Sequence, residues 1–114
     1  MRTGEVFVVS ADGTTTPFAT LSVGGSPVSA IGLAVDAARG RLWAIGTATD
    51  LHRDYTPAHA GTTAVLGLDL ATGEIRETHA RDPGGAGFGF NDLTVRPDGT
   101  LYLSGTDVYV LRPG

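Results

Sequence analysis

Leu33-Ala34-Val35-Asp36-Ala37-Ala38-Arg39-Gly40-Arg41-Leu42-Trp43-Ala44-Ile45-Gly46-Thr47 returns as Leu93-Thr94-Val95-Arg96-Pro97-Asp98-Gly99-Thr100-Leu101-Tyr102-Leu103-Ser104-Gly105-Thr106. The spacing is sixty residues where the unit opens and fifty-nine after a one-residue deletion in the turn. Each copy reads as a strand, a tight turn containing glycine, and a second strand with an aromatic at the matching place, Trp43 or Tyr102. A repeat with a period of tens of residues marks a stacked or radial architecture. Because the repeated unit is a β-hairpin, it points to β-propeller blades.

Outward from the repeat, short alternating runs continue in both directions. Glu5 to Ser10 alternates, turns at Ala11-Asp12-Gly13 and returns as Thr15 to Leu21. Ala64 to Leu70 does the same through Ala71-Thr72-Gly73 and returns as Glu74 to His79. Strands are also expected over Ile31 to Asp36, over Arg41 to Ile45, and from Asp107 to Leu111. Gly and Pro, at 17 and 6, fall between these runs, as turn residues do in all-β proteins, and no stretch sustains a helical apolar period. With blade strands named a to d from the axis outward, the chain reads c, d, a, b, c, d, a, b, c. The expectation is one all-β unit over residues 1–114, built of four-stranded antiparallel blades. Repeat copies cover about 5–60 and 64–114, giving about two blades of a six-bladed ring. A propeller closes with roughly 4–8 blades. Several copies of this chain, such as a trimer, or the remaining blades of a longer chain are therefore expected to complete it.

Composition excludes several function classes. Eight Arg stand singly against nine Asp and three Glu, and there is no Lys, for a net charge of −4. Nucleic-acid binding needs clustered cations against phosphate, so it is not expected. The absence of Lys removes Schiff-base and P-loop chemistry. The absence of Cys removes disulfides, thiolate metal sites and thiol nucleophiles, and leaves the cellular compartment open. No apolar run approaches the ~20 residues of a membrane span. Gly84-Gly85-Ala86-Gly87-Phe88-Gly89 precedes a strand rather than opening a helix, so it reads as a link between blades.

One segment breaks the regularity. Asp50-Leu51-His52-Arg53-Asp54-Tyr55-Thr56-Pro57-Ala58-His59 is far longer than a b–c hairpin needs, and it gathers two of the three histidines. Long loops on a rigid scaffold tend to carry function. His52, Arg53, Asp54 and His59 are accordingly candidate substrate-binding residues, although their spacing matches no zinc pattern and a solvated loop explains them as well. In a propeller, b–c loops and d–a links share one rim, which places this loop beside Asn91. His79, in an outer strand, reads as exposed. Trp43 and Tyr102, at matched places, read as packing residues with equivalent environments.

Phe90-Asn91-Asp92-Leu93-Thr94-Val95-Arg96-Pro97-Asp98-Gly99-Thr100-Leu101-Tyr102-Leu103-Ser104-Gly105-Thr106 resembles the metal-binding blade of the gluconolactonase/senescence-marker-protein family of six-bladed propellers. Leu68-Asp69-Leu70-Ala71-Thr72-Gly73-Glu74 is similar to that family's D-x-x-T-G hairpin. The resemblance implies a metal-dependent lactone or ester hydrolase, with a divalent cation, most often Ca²⁺, at the top of the channel. It carries Asn91 over as a metal ligand and Asp92 as its substrate-side neighbour. Hard oxygen donors suit Ca²⁺ or Mg²⁺, which can polarise a carbonyl and activate water. The matching position in the first copy is Ile31, which cannot coordinate, and the family's Gly-Glu-Gly opening and downstream catalytic Asp have no match here. No catalytic residue is assigned. Asn91 and Asp92 also fit a turn-capping role. Two other readings stand beside the hydrolase: a non-catalytic propeller module binding a lactone, a sugar-like ligand or a protein, and a structural piece without activity.

Overall fold

The alternating runs fold into hairpins. The computed structural model describes residues 3–48, 56, 62–80, 90–105 and 108–112, and among them lie eleven strands and one short 3-10 turn. β1 (Glu5–Val9) pairs antiparallel with β2 (Thr15–Thr20), and β3 (Ser22–Val23) with β4 (Ser26–Pro27). β5 (Ser29–Asp36), β6 (Arg41–Thr47), β7 (Thr63–Asp69) and β8 (Ile75–Ala80) form a four-stranded antiparallel meander. β9 (Asp92–Val95), β10 (Leu101–Ser104) and β11 (Val108–Leu111) form a three-stranded one. The chain is thus all-β, in several small antiparallel sheets, none closed on itself. Each strand read from the sequence is present to within a few residues. The β3–β4 hairpin was not anticipated, although Gly24-Gly25, both at positive φ, is a recognised two-residue hairpin signal.

Side-chain alternation sorts the core into two layers, one on each face of the four-stranded sheet. Leu42 and Ala44 of β6, with Ala64, Leu66 and Leu68 of β7, pack with Val6, Leu21 and Val28 beneath the β1–β2 hairpin. Trp43 and Ile45 of β6, with Val65 of β7, pack with Leu93, Leu101 and Leu103 of the three-stranded sheet. Both faces being covered explains why β6 and β7 read as nearly unbroken apolar runs. Each fully buried Leu or Val in these layers contributes about 1.5–3 kcal/mol relative to exposure. Trp43 stands directly opposite Gly67 in the β6–β7 ladder, and a β-carbon on Gly67 would lie 2.8 Å from the indole Cζ3. Residue 67 is a glycine because the indole fills that space.

The two repeat copies are also tied at their turns. Arg39 Nη1 donates to both Asp36 carboxylate oxygens at 3.4 and 3.2 Å and to the Pro97 carbonyl at 3.0 Å. The first copy's turn is thereby joined to the second's.

The second copy's turn and two further turns share one local device. Asp12 accepts from the Thr14 N–H at 2.9 Å, Asp69 from those of Ala71 and Thr72 at 2.9 and 3.0 Å, and Asp98 from that of Thr100 at 2.9 Å. These backbone donors hold all three carboxyls below the ordinary aspartate value of 3.8. A carboxyl that binds its proton less readily in the folded chain stabilises the fold above its unfolded value. That contribution is lost as pH falls through the depressed value. Stability should therefore decline as pH drops through and below 3.8. Asn keeps the acceptor oxygen and removes the titration, so a triple Asp12→Asn, Asp69→Asn, Asp98→Asn variant should show a flatter acid limb. Urea midpoints followed between about pH 5 and pH 2 measure it. An unchanged acid slope would show that these turns are not the source.

Candidate functional site

The sheets have two unlike ends. At one, hairpin turns close the strands tightly. At the other lie Ala48, Thr62, Ala80 and Phe90, which flank the longer connections. Ala48 N–H donates to the Thr62 carbonyl at 2.8 Å, extending the β6–β7 ladder to the base of the connection between those strands. His52, Arg53, Asp54 and His59 lie outside the described residues.

This open end is built on a row of hydroxyls that the sequence reading did not single out. Ser29, Thr47 and Thr63 stand opposite one another across β5, β6 and β7 and so share one face. The Thr47 and Thr63 Oγ1 atoms lie 2.9 Å apart, and the Phe90 N–H donates to Thr63 Oγ1 at 3.4 Å. Ser29 Oγ is buried and has no hydrogen-bond partner among the described residues. Phe90 is anchored by an edge-on contact with Tyr109, ring centroids 5.4 Å apart. The next residue, Asn91, is exposed and donates its backbone N–H to the Ser104 carbonyl at 2.7 Å. Asp92, also exposed, accepts from the Leu93 N–H through Oδ1 at 2.8 Å. One Asp92 oxygen thus serves the backbone, in line with a turn-capping role, and Asn91 lies exposed beside it. Asp92 also lines an open groove of about 230 Å³ with Thr94, Tyr102, Ser104 and Val108.

Calcium takes six to eight oxygen ligands. Among the described residues no group of three acidic, His or Cys side chains could hold a metal ion. Asn91 and the second Asp92 oxygen do not compose a calcium site by themselves.

The chain matches no family model, no curated protein and no solved structure. The likeness to gluconolactonases therefore rests on the quoted motif alone.

A second polar cluster lies at the outer edge of the four-stranded sheet. Arg41 Nε donates to Glu77 Oε2 at 3.3 Å, and Glu77 Oε1 lies 3.4 Å from His79 Nε2. The His79 ring sits 6.2 Å from that of Trp43, whose buried Nε1 has no hydrogen-bond partner among the described residues. His79 is thus half-buried, against the expectation of exposure. The cause is a bulge: Leu68 pairs with Ile75 and Gly67 with Glu77, leaving Arg76 as an extra residue. One extra residue turns Glu77 and His79 onto the Trp43 face while Ile75 packs on the other.

Tyr102 also departs from expectation. Trp43 is 2% exposed between two sheets. Tyr102 is half-buried on the outer face, where its hydroxyl accepts from Arg96 Nη1 at 3.1 Å.

Proposed function

We propose that the chain is a β-propeller module, contributing about two blades of a six-bladed ring, that binds a small lactone or sugar-like ligand at the open sheet ends around Asn91 and Asp92. One observation carries this reading. The repeated segments occupy the first two strands of successive meanders, β5–β6 and β9–β10, which stack face to face through Trp43, Ile45, Leu93 and Leu101. Long connections above tight turns give such a stack a natural binding end.

The Phe90-Asn91-Asp92 stretch favours a second reading, a metal-dependent lactone or ester hydrolase. Exposed at the opening of β9, the Asn91 amide oxygen would be one donor to a divalent cation, and Asp92 would add negative charge beside it. A bound cation supplies carbonyl polarisation and water activation. Further donors have to come from the Asp50–His59 segment or from other blades.

Calorimetric titration of the parent and of Asn91→Ala with gluconolactone, Ca²⁺ and Mn²⁺ separates the readings. Lactone binding without metal, weakened on the order of tenfold (~1.4 kcal/mol) in the variant, is the expected result. Stoichiometric metal binding that the variant loses would move the hydrolase to the front. No binding of lactone or metal by the parent would overturn both.

A further inference from the structure

The β5 face turned toward the β1–β2 hairpin is half bare. Leu33 and Val35 are 49% and 56% exposed, whereas Leu93, the repeat counterpart of Leu33, is 8% exposed against the four-stranded sheet. Beside this bare face, β1 pairs among the described residues only with β2, which leaves its other edge without a described partner strand. Together they outline a vacancy two strands wide. The chain carries a hairpin of matching kind. β9–β10 repeats β5–β6, and its outer face bears Thr94 and Tyr102, the counterparts of Ala34 and Trp43, which meet Leu93 inside the chain.

We propose that a second copy of this chain fills the vacancy with its β9–β10 hairpin. The hairpin's β10 edge pairs with the open edge of β1, and Thr94 and Tyr102 pack over Leu33 and Val35. The proposal rests on the blade reading above, because it takes the contact between the four-stranded and three-stranded sheets as the template for the contact between copies. β11 and β1 are both c strands in the blade order, so they compete for the one place beside β10, and β11 gives way. β11 pairs with the four residues of β10 and leaves Val108 and Val110 73% and 45% exposed. The exchange gives up the Phe90–Tyr109 ring contact and the packing of Tyr109 and Leu111 on the Trp43 layer, while β9–β10 stays on its own four-stranded sheet through Leu93, Leu101 and Leu103. Each copy gives a hairpin and receives one, so the contact runs head to tail, and on the blade reading three copies complete a six-bladed ring. Exchange of an edge strand between copies is an ordinary route to such assemblies.

The chain has no cysteine, which allows a clean cross-linking test. Leu33 and Tyr102 lie on opposite sides of the four-stranded sheet, so a Leu33→Cys, Tyr102→Cys variant cannot bridge within one chain. Oxidation should give covalent dimers and larger rings, and light scattering of the parent should show mass rising with concentration above the 11.7 kDa of one chain. Leu33→Arg, at an exposed position, should keep the fold by circular dichroism and weaken association on the order of tenfold or more. Val110→Pro, which disturbs the β10–β11 pair, should tighten association. A parent that stays at one chain mass up to millimolar concentration would overturn the proposal and leave the vacancy to strands of another source. Association without the cross-link would overturn this docking while leaving the blade reading intact. Lactone binding by monomeric Leu33→Arg is measured separately, so loss of assembly and loss of ligand binding are distinguished.

Discussion

Replacing Trp43 with alanine is expected to cost about 3–5 kcal/mol of folding stability, a large part of the 5–15 kcal/mol that holds a typical domain together. The indole is 2% exposed and lies between the four-stranded and three-stranded sheets, touching the layer formed by Ile45, Val65, Leu93, Leu101 and Leu103. Truncation empties a space that no neighbour can refill, because Gly67, directly opposite, has no side chain to move into it. That pairing gives the prediction a second arm. Gly67→Ala alone should destabilise by about 1–3 kcal/mol, since its β-carbon would meet the indole at 2.8 Å. In the Trp43→Ala background the same change should be nearly neutral, because the clashing ring is gone. Urea denaturation of the four proteins in the cycle measures the coupling. Additive losses would show that Trp43 does not sit over Gly67. Tyr102→Ala, at the repeat-equivalent but half-buried position, should cost clearly less than Trp43→Ala in the single chain.

Leu66→Ala probes the opposite layer and should cost about 2–5 kcal/mol. Leu66 is fully buried between β6 and β8, and it packs with Val6, Leu21 and Val28 beneath the β1–β2 hairpin. Its effect should also be local in a readable way. Amide exchange should rise in β1 and β2, which this layer holds down, more than in β9 and β10, which the Trp43 layer holds. Trp43→Ala should show the reverse order. Equal loosening of both hairpins in both variants would show one core where the structure has two.

Much of the strand plan is written in short-range signals. The Asp12, Asp69 and Asp98 turns each close through hydrogen bonds spanning two or three residues, so they could be read without any partner strand. The repeat in turn fixes the order of strands, since Leu33–Thr47 and Leu93–Thr106 must play the same part. The place of Asn91 and Asp92 at the opening of β9 was likewise legible from the motif around them.

What the sequence by itself determined is therefore where the strands run and where they turn. Only the tertiary structure decided which face each side chain takes and what lies against it. The extra residue at Arg76 turned Glu77 and His79 toward Trp43, and period-two reading of β8 could not reveal it, because the bulge is defined by pairing with Gly67 and Leu68 across the ladder. The Ser29–Thr47–Thr63 row depends on the register of three strands, which brings together residues more than a dozen positions apart in the chain. Trp43 and Tyr102, alike in sequence context, differ because a second sheet covers one and none covers the other. Turn geometry is a property of a few neighbouring residues, whereas burial and register are properties of the partner strand, which local sequence does not contain.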